Sequence, residues 1–145
     1  MTELRAEKSI EINAPAEKVW GLMTQISRWA EWIPVIHSAE PVKGEALEPG
    51  SRFKFKPELG MLSINLAVTV IESDPPLHVT WKGGGPGVSA VHAFDLDEKE
   101  GITRLTSSET FSGLAVPLLR LAFGQKDLDN LHQRWIEGLK QAAEK

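Results

Sequence analysis

The 145-residue sequence predicts an α+β fold, a curved antiparallel sheet of about seven strands wrapped around a long C-terminal helix. Three observations predict it. A strand pattern opens the chain and is followed at once by two short helical patterns. Six apolar/polar alternations come next, separated by Pro/Gly-containing or charged turns, which is the antiparallel signature. After Gly113 the apolar period lengthens to steps of three, four and seven and stays so to the end.

In order, "SIEINAP" alternates with Ile10 and Ile12 on one face, a strand with one buried side. Pro15 suits the first turn of the helix "PAEKVWGLM", whose inner face is Val19, Trp20 and Met23. "TQISRWAEW" reads as a second short helix ended by Pro34. The six strands are "VIHSAEPV", "SRFKFK", "MLSINLAVTVIES" (stopped by Pro75 and Pro76), "LHVTWKG", "VSAVHAFDLD" and "ITRLTSSETF". From Pro117 to Lys145 the pattern predicts one helix of about 43 Å at 1.5 Å per residue. Leu121, Leu128, Leu131, Trp135, Leu139 and Ala142 form its stripe, and Gly124 marks a bend or a close approach. No repeat, linker or composition shift divides the chain, so residues 1–145 are expected to form one domain.

Composition narrows the function classes. Lys plus Arg is 16 and Asp plus Glu 20, a net charge of −4, so the concentrated basic surface that nucleic acid requires is missing. There is no cysteine, which excludes disulfides and thiolate metal sites. The charged opening "MTELRAEKS" lacks the apolar core of a signal peptide, and no apolar run reaches membrane-span length. The expectation is a soluble cytoplasmic protein. "KGGGPGV" lacks the Lys-Ser/Thr that follows a phosphate loop and reads as a hairpin, and no "GxSxG" elbow occurs. His37, His78, His92 and His132 show no close metal-ligand spacing, and with tyrosine absent no phenol acid is available. Neither a metal nor a cofactor is expected.

"INAPAEKVWGLMTQISRWAEWIP" resembles the opening of the superfamily that joins START lipid-transfer domains, birch-pollen-allergen-like proteins and bacterial polyketide cyclases/dehydrases, also written SRPBCC. "GITRLTSSETFSG" resembles that group's penultimate element, a Thr-containing strand running into a glycine before the last helix. The resemblance implies a helix-grip fold with a deep cavity between sheet and helix, of the kind that holds hydrophobic or aromatic molecules. Some members of the group are enzymes that close or dehydrate polyketide chains, and others carry ligands.

Several residues are candidates for such a cavity. Trp29 and Trp32, three apart, share one face of a helical turn. They either pack the core, at about 200 Å² per ring, or line the cavity. Trp32 with Pro34 belongs to the framework that the resemblance covers, and Trp29 is the expected wall or lid at the mouth. Trp81 on its strand and Leu128 and Trp135 on the last helix lie on inward stripes, as core or as ligand contacts. On "VSAVHAFDL" the phase that turns Phe94 inward also turns His92 inward. On "RLTSSETF" the phase of Leu105 and Phe111 carries Ser107 and Glu109. Buried polar groups demand partners, so His92 and Glu109 are either a satisfied structural pair or an acid/base pair for an enolisable ketone. Arg104 falls on the outward phase. In "SGLAVPLLRLAFG", Leu114, Leu118 and Phe123 are expected to gate the cavity.

The leading expectation is a small-molecule binding protein in which His92 and Glu109 orient the ligand. The alternative is a cofactor-free polyketide aromatase/cyclase or dehydratase using the same two residues. A third reading is a partner- or peptide-binding module, and exposed apolar surface near the tryptophans would equally suit a homodimer contact.

Overall fold

A computed structural model describes residues 3–62 and 64–145. Seven strands form one antiparallel sheet in the order β1-β7-β6-β5-β4-β3-β2. They are β1 (Glu3–Ile12), β2 (Ile36–Lys43), β3 (Arg52–Pro57), β4 (Leu66–Asp74), β5 (His78–Gly85), β6 (Val88–Lys99) and β7 (Ile102–Ser112). Between β1 and β2 lie α1 (Ala16–Met23), a 3-10 turn (Ile26–Arg28) and α2 (Trp29–Trp32). After β7 come α3 (Val116–Leu119) and α4 (Gln125–Ala143). The helix-grip architecture read from the sequence is therefore the architecture of the molecule.

Local chemistry sets each boundary. β1 begins earlier than the "SIEINAP" pattern suggests, because it pairs with β7 from Glu3 opposite Ser112 to Ile12 opposite Thr103. Its "LRA" segment still alternates, with Leu4 and Ala6 buried. The third of the six central strands starts at Leu66 rather than Met61. Leu59 and Leu62 form an isolated bridge ahead of it, and Ser63 lies outside the described residues, as do Met1 and Thr2.

The expected single C-terminal helix is two. α3 ends at Leu119, and the chain turns through Phe123 before Gly124, extended at φ −112° and ψ −173°, starts α4. Two interactions favour the break. The Ala122 carbonyl, which a continuous helix would use internally, accepts the Met61 N–H at 2.7 Å. The Asp127 carboxylate accepts the Gly124 N–H at 2.9 Å and caps the new helix start. Gly60 permits the close approach, since a Cβ there would stand 2.6 Å from the Ala122 oxygen.

α4 presses Leu128, Leu131, His132, Trp135, Ile136 and Leu139 inward. It also covers the edge of β1 that β7 leaves free: Gln125 Nε2 donates to the Arg5 carbonyl at 2.7 Å and Lys140 Nζ to the Glu11 carbonyl at 2.7 Å. Satisfying these groups blocks pairing with another chain on that side. The far end of α4 meets α2 through Gly138, whose missing side chain admits the Trp32 carbonyl and Ile33 Cα.

Replacing Gly138 by alanine separates two opposed effects. Alanine gains about 1 kcal/mol of helix propensity, but its methyl group meets backbone, and overpacking costs about 1–3 kcal/mol. Rigid backbone places the cost at the upper end. Gly138→Ala is therefore expected to lose about 1–2 kcal/mol net, read as a lower urea midpoint at unchanged slope. A gain in stability would show that α2 and α4 are free to separate.

Candidate functional site

The grip is filled unequally. At one end Trp29, Phe53, Phe55, Trp81, Phe94 and Trp135 pack with neighbouring ring centroids 5.0–6.4 Å apart. Trp29 is 1% exposed and its indole N–H donates to the Met23 carbonyl at 3.0 Å. It belongs to the core and not to a cavity mouth, contrary to expectation. Trp32 is half-buried at the surface, with the Arg28 guanidinium 5.4 Å from its ring centroid. Residues three apart on a helix differ by about 60° in direction, enough for one ring to enter the core while the other stays at the rim.

At the other end the grip is open. A cavity of about 340 Å³ lies between the inner face of β3–β7 and the α3–α4 segment. Trp81, Phe55, Phe111, Phe123, Leu119 and Val68 supply its apolar wall, and Ala90 its small-residue floor. Among the described lining residues Glu109 is the only ionisable group, and Asn65 carries the only other polar side chain.

Of the residues expected to contact a ligand, Trp81, Phe111 and Phe123 line this cavity together with Glu109. Phe94, Ser107, Leu128 and Trp135 are buried deeper, as parts of the packed interior. Leu114 and Leu118 do not gate it: they are 88% and 69% exposed. Their segment turns Val116, Leu119 and Phe123 inward at helical steps, which places Leu114, Leu118 and Leu121 on the opposite face.

The strand phase does bring His92 and Glu109 together. They are directly paired across β6 and β7, 1% and 7% exposed. They do not touch as a simple pair, however, because Ser107 and His132 stand between them. His92 Nε2 is 2.8 Å from Ser107 Oγ, which is 2.7 Å from His132 Nδ1. His132 Nε2 is in turn 2.9 Å from Glu109 Oε1. His132, fully buried on α4, thus joins the two strands and completes a linear chain from the cavity wall to the core. The sequence carried the signal for it: His132 stands four residues after Leu128 and three before Trp135, on the inward stripe. A search by metal-ligand spacing along the chain passes over that position.

Proton accounting shows what this chain can do. With Glu109 ionised and His132 neutral, His132 Nε2–H donates to Glu109 and Ser107 donates to His132 Nδ1. His92 Nε2–H then donates to Ser107. In the reversed arrangement one more proton has entered at His92 Nδ1 and each hydrogen has passed one link along: His92 carries its N–H on Nδ1, Ser107 donates to His92 Nε2, and His132 donates to both Ser107 and Glu109. Every link stays satisfied in both arrangements, so the four side chains form one continuous hydrogen-bonded path between Glu109 and His92. The three titratable members also have ligand atoms within 4.8 Å of one another, a set of the type that holds a divalent cation. Here the facing atoms already satisfy each other through Ser107. Ser73 Oγ alone, among buried side-chain polar atoms of the described residues, has no partner.

Burial, reinforced by neighbouring His132, pushes His92 well below the ordinary histidine value of 6.5. The folded protein keeps His92 neutral, whereas the unfolded chain protonates it as pH falls through about 6.5. The unfolded state then binds more protons, so stability from this group is intact above that pH and declines below it. Thermal unfolding between about pH 7.5 and pH 5 should therefore show a shallower fall in melting temperature for His92→Phe than for the wild type. Equal slopes would mean that His92 titrates normally in the fold.

Comparison with known proteins places this geometry among relatives. A family model described as "Polyketide cyclase / dehydrase and lipid transport" matches residues 3–144. No curated protein sequence matches the chain. Among solved structures, the ginseng major latex-like protein 151 from Panax ginseng superposes with a TM-score of 0.79 at 13% identity, covering 99% of each chain. A START superfamily protein from Mycobacterium smegmatis gives a TM-score of 0.76 at 14% identity over 97% of both chains. The di-domain ARO/CYC BexL from the BE-7585A biosynthetic pathway gives 0.79 at 18% identity, covering 99% of this chain and 51% of that one. At these identities the likeness is one of fold. Among the described residues no helix is long and apolar enough to cross a membrane.

Proposed function

The chain belongs to the polyketide cyclase/dehydrase and lipid transport family, and on that premise we propose that it binds a small hydrophobic or aromatic molecule in the cavity beside Glu109. The observation that carries this reading is the cavity itself, about 340 Å³ with apolar walls and a single ionisable group. That volume lies at the lower end of ligand pockets, roughly 300–1,000 Å³, and is about twice a void that takes up benzene, roughly 150 Å³. A molecule of two or three fused rings suits it. Affinity comes from apolar burial, about 25 cal/mol per Å² removed from water. Its wall carboxylate sets the cavity apart from an all-apolar packing defect: His132 satisfies Oε1, while Oε2 has no protein partner among the described residues.

A second reading has its own support. Glu109 stands at the cavity wall with His132 behind it, so a carboxylate in contact with ligand is backed by a group that can hold its proton. That arrangement suits general acid/base work on an enolisable polyketide, in a cyclase or dehydratase. In this reading Glu109 touches the substrate, and His132, hydrogen-bonded to its other oxygen, is the group with which it exchanges the proton.

Two experiments separate these readings. Titration with naphthalene-type ligands should perturb tryptophan emission through Trp81. Ala90→Phe, which fills the cavity from β6, should weaken that binding at least tenfold while leaving the melting temperature close to wild type. Unchanged affinity in Ala90→Phe would place the ligand elsewhere. For the enzymatic reading, turnover of a poly-β-ketone chain should fall about 10²-fold or more in Glu109→Gln. Full activity in that variant would remove the acid/base role.

A further inference from the structure

The chemistry of the cavity points to more than apolar binding, and the inference that follows rests on the binding reading above. We propose that the site selects an aromatic molecule presenting one N–H or O–H donor, a hydroxyl or a protonated amine, to Glu109, and that it rejects apolar carboxylates.

The two oxygens of Glu109 differ in their partners. Oε1 is held by His132 at 2.9 Å. Among the described residues Oε2 receives no protein hydrogen bond, and the cavity is what Glu109 faces. Nor does any described lining residue carry a positive charge. Lys82 points to the outer face of β5, and Arg120 is exposed and donates to the Glu3 carbonyl at 2.9 Å. An incoming carboxylate would therefore meet a like charge in an apolar, poorly screened space, with no cation and only the Asn65 amide to offset its own desolvation. An incoming donor meets the reverse, a charge-assisted hydrogen bond to an oxygen short of partners.

His132 strengthens this preference. It occupies Oε1, so Oε2 is the oxygen left to accept from the cavity side. The aromatic walls contribute as well. Trp81, Phe55, Phe111 and Phe123 surround the space with ring faces and edges, and a protonated amine between such rings gains cation–π attraction. Hydroxyl and ammonium share the donor chemistry that the site recognises, and direct comparison tells them apart.

Four probes of matched ring system test the proposal on the intact protein at neutral pH: naphthalene, 2-naphthol, protonated 2-naphthylmethylamine and 2-naphthoate. Tryptophan emission and calorimetry serve as readouts. The expected order places 2-naphthol or the amine at least tenfold tighter than naphthalene, with 2-naphthoate the weakest. The tighter of the two donors identifies the natural head group as neutral or cationic. In Glu109→Gln the amine should lose its advantage and 2-naphthoate should gain. If naphthalene binds but 2-naphthoate matches or exceeds the donors in the wild type, the selectivity is overturned while the binding reading stands. If none of the four binds, both fall. Should Glu109→Gln fail to fold, the wild-type order alone decides.

Discussion

Trp135 is the point at which the three parts of the molecule are fastened. Its ring meets Trp29 from α2 at 5.5 Å, Phe55 from β3 at 5.5 Å, and Trp81 and Phe94 from the central strands at 6.2 and 5.7 Å. Helix, sheet and the short-helix segment therefore share one aromatic core. A long amphipathic helix cannot remain stable alone in water, so its place along the sheet depends on this cluster. Everything placed by α4, His132 included, inherits its position from that packing.

The same cluster explains why the cavity is confined to one end. Trp135 and five other large rings close that end of the grip, and the space that remains lies where Ala90 and the glycines of β5 offer little volume. The break between α3 and α4 belongs to this division. It lets Leu119 and Phe123 turn over the open end, while α4 stays docked on the core. One continuous helix would have carried Phe123 along the axis, away from the wall it now forms.

Between the packed end and the open end runs the line of Glu109, His132, Ser107 and His92. Four buried polar side chains in an apolar interior would be costly singly, but in series each satisfies the next. Glu109 belongs to the cavity and His92 to the core, where its ring stacks on Phe94 with centroids 4.6 Å apart. The interior that stabilises the fold and the group that meets a ligand are thus physically continuous. Two hydrogen-bonded neighbours, His132 and Ser107, link the carboxylate at the cavity wall to the imidazole in the aromatic core.

The amino-acid pattern alone determined the α+β class, the element order, the inward phase of β6 and β7 and the facing of His92 toward Glu109. These depend on periods of two and about three and a half, which are local properties of the chain. Tertiary structure decided the rest. Trp29 and Trp32 are the same residue type three positions apart, yet one is core and the other rim. What separates them is the rotation of a four-residue helix set by its contacts. The helix break at Gly124 depends on a carbonyl taken by a loop some sixty residues earlier, from Met61. The partner of Glu109 proved to be His132, a residue on another element, because hydrogen bonds close in space and not along the sequence. Which inward residues pack and which face empty volume is likewise a question of how much space the neighbours fill, and no local pattern carries that information.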